Sequence, residues 1–160
     1  MKILVLKFSL TTKGENKFAD FINLESLTYS GYYIDISNIL LALGKFNKNV
    51  KELNLVSCTF NVNSLNSIGL HENLINLKLN TMTMENKKKI VDLIINLLNL
   101  KEIEILGSDT RDMNYSFFKK IHDAKINRGD KNVLKIYIDS HDYEHFNKDF
   151  SLISINYFIE

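Results

Sequence analysis

The sequence predicts an α/β fold: a solenoid whose single parallel sheet has about six or seven strands, with helices covering its convex side. Three observations predict it. Apolar anchors recur in the spacing L-x-x-L-x-L, the recurrences are evenly placed, and helical periodicity fills several of the gaps between them. The clearest occurrence is Val50, Leu53 and Leu55, followed by Cys58 and Phe60. Leu74, Leu77 and Leu79 repeat it, as do Leu100, Ile103 and Ile105. Upstream, Leu24, Leu27 and Tyr29 match, and Met1, Leu4 and Leu6 fit more loosely. Downstream stand Val133, Ile136 and Ile138, then the weakest set, Phe150, Ile153 and Ile155. First anchors at positions 1, 24, 50, 74, 100 and 133 are separated by 23, 26, 24, 26 and 33 residues. A lone match is cheap in so apolar a chain, so the regular intervals carry the argument.

The intervening segments supply the other half of each unit. Phe18 to Ile22 reads as a short helix. Ile36, Ile39, Leu40 and Leu43 stand at helical spacing behind Asp35 or Ser37 as N-cap. Asn63 to Ile68 is poorly periodic and reads as a 3₁₀ turn or irregular chain. Ile90, Leu93, Ile94 and Leu97 form an apolar stripe after Glu85, which suits a first helical turn. Phe117, Phe118, Ile121 and Ala124 mark another helix before the turn Asn127 to Asp130. The whole chain reads as one domain: an N-terminal capping repeat over 1–23, core repeats over 24–132 and a C-terminal cap over 133–160. In that cap Phe146 and Phe150 precede a final strand, and Tyr157, Phe158 and Ile159 are expected to close the core, the alternative being an exposed docking tail.

With these anchors in view, the chain resembles the leucine-rich-repeat family, most strongly from Leu24 to Thr110. The pattern is degenerate. Cys58 falls one residue before the family's cysteine or asparagine slot, and Tyr32, Met82 and Ser108 occupy the corresponding place in other repeats. The resemblance implies adaptor roles, such as substrate recognition for a ubiquitin ligase. No F-box-like helical segment precedes the repeats, so that role would need a separate subunit.

Composition bounds the function. The 160 residues are 45% hydrophobic and 24% charged, so a packed core is affordable and disorder is not expected. The net charge of +1 argues against a protein that coats nucleic acid. One cysteine rules out an internal disulfide or a multi-cysteine zinc module. Asn, Lys and Ile share A/T-rich codons, so surface Asn and Lys are discounted as functional signals. No targeting peptide is evident: Lys7 interrupts the run Ile3 to Leu6, and Ile90 to Leu100 is too short to span a bilayer. These features predict an intracellular protein, cytoplasmic or nuclear, with no membrane partner.

Function is expected on the concave face. Alternation with period two turns Leu53 and Leu55 inward and leaves Glu52, Asn54 and Val56 on the other side. Thr28, Glu52, Asn54, Asn76, Lys78, Glu102, Glu104, Lys135 and Tyr137 make up the expected partner-binding set. Lys78 is expected to pair across strands with Glu52 or Glu102. The first expectation is therefore a non-enzymatic adaptor for another protein or a multi-subunit complex, with no cofactor and no small-molecule substrate. The alternative is an accessory factor of a ribonucleoprotein such as the ribosome, touching RNA through Lys87, Lys88 and Lys89. A distant third is a zinc hydrolase, because His141, Glu144 and His145 spell H-x-x-E-H. Only Glu160 lies past Asp149 as an acidic third ligand. No phosphate-cradling glycine loop or nucleophile elbow is present, and His71 and His122 lack a sequence-adjacent nucleophile.

Overall fold

A computed structural model describes residues 3–6, 23–31, 36–58, 60–80, 87–107, 113–139 and 149–157. Among them, seven strands form one sheet in strict chain order: β1 (Ile3–Leu6), β2 (Ser26–Ser30), β3 (Glu52–Val56), β4 (Asn76–Asn80), β5 (Glu102–Leu106), β6 (Leu134–Ile138) and β7 (Ile153–Tyr157). Every neighbouring pair is parallel. Four described helices fill the middle crossovers: α1 (Ser37–Phe46) after β2, α2 (Val62–Ile68) after β3, α3 (Lys87–Asn96) after β4 and α4 (Tyr115–Asn127) after β5. None of the described helices is long and apolar enough to cross a membrane.

The strands form where the anchors recur because alternation gives each a dry face. Leu27 and Tyr29, Leu53 and Leu55, Leu77 and Leu79, Ile103 and Ile105, and Ile136 and Ile138 are all buried. They share one core with Leu40 and Leu43 of α1, Leu65 and Ile68 of α2, Ile90 and Leu93 of α3, and Phe118 and Ile121 of α4. Among the described residues, helices therefore cover one face of the sheet and leave the other open. Phe117 and Phe118 meet edge to face, with ring centroids 5.3 Å apart.

Three expectations about local structure are corrected. The segment read as irregular is the α-helix α2, seven residues long. Its length is too short to show a period, and its start is set by a capping box: Asn61 Oδ1 accepts from the Ser64 backbone N–H at 2.9 Å, and Ser64 Oγ accepts from the Asn61 N–H at 2.7 Å. Ile36, rather than Asp35 or Ser37, stands at the N-cap of α1, with no side-chain cap bond. Ser37 opens that helix and its hydroxyl instead donates to Asn61 Oδ1, tying α1 to the start of α2. Finally, Val133 is an exposed residue and not an anchor; Leu134 is buried in its stead. The longer approach through α4 and the positive-φ Gly129 brings the chain in at Leu134, whose N–H donates to the Leu152 carbonyl. The expected helix at Phe18 to Ile22, the cap position Asp35, Glu85, Phe146 and the tail residues Phe158 and Ile159 lie outside the described residues.

A ladder of asparagines joins successive turns at the strand-entry edge. Asn23, Asn49, Asn73 and Asn99 each precede an anchor by one residue. The Asn73 amide donates to the Lys48 carbonyl at 2.9 Å, and the Asn99 amide donates to the Glu72 carbonyl at 3.0 Å. Each bond ends on the residue just before the previous asparagine, so one rung repeats. Nearby, fully buried Asn47 bonds the Leu24 carbonyl and accepts from the Asn49 N–H. These amides satisfy loop carbonyls that no strand or helix reaches.

Where α1 meets the next turn the approach is close. A Cβ on Gly44 would stand 2.7 Å from Leu70 Cβ and 3.3 Å from its Cδ1. In an isolated helix alanine is favoured over glycine by about 1 kcal/mol. Here the contact reverses the sign, and Gly44→Ala is expected to lower unfolding stability by about 1–3 kcal/mol. Urea denaturation checks this, and a midpoint equal to or above the parent's would show that the α1–α2 contact is slack.

Candidate functional site

In-register pairing arranges the open face in rows crossing the sheet, two of which frame the candidate site. One row runs Ser26, Glu52, Asn76, Glu102, Lys135 and Ser154 from β2 to β7. The other runs Thr28, Asn54, Lys78, Glu104, Tyr137 and Asn156. Residues two apart on one strand share a face, so the alternation that buries the anchors places these side chains together.

Between the rows lies a hollow of about 410 Å³ lined by Ser26, Thr28, Glu52, Asn54, Asn76, Lys78, Glu102, Glu104 and Tyr137, with the backs of Leu53 and Leu77. Eight of the nine residues expected to bind a partner line it; the ninth, Lys135, continues the first row beyond it. Its ammonium is 2.8 Å from Glu102 Oε1, and that carboxylate holds Lys135 above the ordinary lysine range. The expected partner of Lys78 is corrected. It pairs with Glu104, directly opposite in register, and not with Glu52 or Glu102, which belong to the other row. Among the described residues Glu52 receives only the Asn76 amide, at 3.4 Å. Asn54 Oδ1 is buried without a hydrogen-bond donor among the described residues.

The lysine run lies elsewhere. Lys87 begins α3, and Lys88 and Lys89 are exposed on that helix. Lys89 borders a separate groove between α2 and α3 with Leu65, Gly69, Asp92 and Leu93. It faces away from the open sheet, so the two candidate surfaces are not one site. His141, Glu144 and His145 lie outside the described residues. Among the described residues no three His, Cys, Asp or Glu side chains gather as a metal site.

The remaining reactive side chains have structural surroundings. Cys58 is buried, its thiol donates to the Val56 carbonyl at 3.4 Å, and burial pushes its pKa up to about 11. At neutral pH it is therefore a thiol and a poor nucleophile. His122 forms a contact that sequence order hides: its Nε2 accepts from the Ser151 N–H at 3.2 Å and lies 3.3 Å from Ser151 Oγ. Asp123 stands 3.7 Å from His122 Nδ1, which superficially resembles an Asp-His-Ser relay. The main-chain donor already occupies the Nε2 lone pair that a general base would need, so the pair acts as a latch. It fastens the segment before β7 to α4, with Phe150 packed 5.3 Å from the imidazole.

Sequence reasoning missed the asparagine ladder and this latch. The first was legible as an asparagine repeating one residue before the anchors, but was set aside with the codon bias. The second joins residues 29 apart and leaves no local pattern. Compared with known proteins, the chain matches no family model, no curated protein and no solved structure.

Proposed function

We propose that this chain is a short leucine-rich-repeat-like solenoid acting as a non-enzymatic interaction module, which receives a segment of another protein on the open, concave face of its sheet. One observation carries the reading: polar side chains of five consecutive strands, β2 to β6, converge on a single hollow while the opposite face of those strands is buried under helices. A sheet exposed on one side offers side chains at fixed intervals, about 4.8 Å between strands and about 7 Å along them. That array recognises shape and charge pairing.

The test is co-purification from the native cell with three baits: the parent chain, a Thr28→Arg/Asn54→Arg face variant, and a Lys88→Glu/Lys89→Glu helix variant. The adaptor reading expects a reproducible protein set that the face variant loses and the helix variant retains. RNA recovered with the parent and lost only with the helix variant would instead establish the ribonucleoprotein reading, whose support here is the exposure of Lys88 and Lys89.

A further inference from the structure

Resting on the reading of the open face as a docking surface, the geometry points to a specific occupant, and we propose that it is an extended basic segment of a partner protein, with a lysine or arginine side chain seated against Glu52. The hollow is lined by three carboxylates, Glu52, Glu102 and Glu104, and by one ammonium, Lys78. These acids are not equivalent. Lys78 answers Glu104 and Lys135 answers Glu102, but no cation among the described residues answers Glu52. Two residues along the same strand and face, Asn54 Oδ1 is a buried acceptor lacking a donor. Among the described residues Glu52 is thus the carboxylate of the hollow left under-supplied with N–H groups.

The neighbouring strand opens room beside it. Opposite Glu52 and Asn54 on β2 stand Ser26 and Thr28, the smallest side chains lining the hollow. A long cationic side chain entering over this low floor reaches Glu52, and its several N–H donors match what that carboxylate lacks. A single metal ion fits less well. Glu52 and Glu102 lie on strands two apart, about 10 Å, beyond the span of one coordination shell. An acidic segment or a nucleic-acid backbone would meet net negative charge, which a basic segment complements.

Fluorescence anisotropy with labelled twelve-residue peptides tests the occupant directly: one Arg/Ser/Gly peptide, one Lys/Ser/Gly peptide and one Glu/Ser/Gly peptide of matched length. A basic peptide is expected to bind the parent chain, to weaken as salt rises, and to lose at least about tenfold in affinity on Glu52→Lys. Glu52→Gln and Asn54→Ala are expected to lose less, and Lys88→Glu nothing. Thermal melts of the variants establish that each is folded, and Glu52→Gln serves if Glu52→Lys is not. Equal binding of the acidic peptide, or a basic-peptide affinity indifferent to both Glu52 variants, overturns the proposal. If that happens while the face variant still loses the co-purifying proteins, the docking reading stands and only its basic occupant falls. If the face variant loses nothing, the docking reading itself falls.

Discussion

Leu77→Ala is expected to destabilise the protein by about 2–5 kcal/mol, while Asn76→Ala, one residue earlier on the same strand, changes it by no more than about 0.5 kcal/mol. Both lie on β4, the fourth of seven strands. Leu77 is 2% exposed and belongs to the shared core, so truncating it removes packing from both neighbouring strands and leaves a cavity that a sheet paired on both edges cannot collapse. Asn76 faces the hollow and makes one long bond to Glu52. Urea denaturation of the two variants reads the contrast directly. Similar losses for both would mean that the open face is covered within the monomer, which would also remove the space the proposed partner needs.

The second large effect is acid sensitivity centred on His71. The residue is 1% exposed, and neither ring nitrogen has a hydrogen-bond partner among the described residues. Burial is the main cause that lowers its pKa from 6.5 to about 4; the Lys48 ammonium adds to the shift and the Leu40 backbone opposes it. The folded protein therefore keeps the ring neutral at pH values where the unfolded chain binds a proton. Stability contributed by this neutrality is full above pH 6.5 and is lost as pH falls towards 4, by ~3 kcal/mol in all. The ion-paired carboxylates of Glu25, Asp123 and Asp130, whose pKa values are lowered from 4.5, 3.8 and 3.8, lose their contribution only at still lower pH. Across the window between pH 4.5 and 6.5, the difference between the parent and His71→Leu reads the share of the histidine. Urea midpoints measured across it should slope for the parent and flatten for His71→Leu; parallel slopes would show that the ring accepts its proton in the folded state.

The sheet was legible because its signal is local and repeated. A period of two within each strand and a near-constant step between strands mark both what is buried and which strand follows which. The amphipathic stripes of α1, α3 and α4 were legible for the same reason, each being long enough to complete more than two turns. Helix α2 was not, since seven residues carry too little period and its existence rests on the Asn61–Ser64 cap and on its contact with α1. Likewise Val133 had the right type and spacing for an anchor, and only the route taken out of α4 puts Leu134 in its place.

For the candidate site the division is finer. Sequence alternation alone determined which side chains stand on the open face, because in a strand that follows from the parity of position. It could not decide their partners, because pairing depends on register between segments 24 to 33 residues apart, and a shift by two would keep every face while exchanging every neighbour. Register is set by how the helices and the asparagine rungs seat one turn on the last. That tertiary choice gives Lys78 to Glu104 and Lys135 to Glu102, and leaves Glu52 without a cation among the described residues.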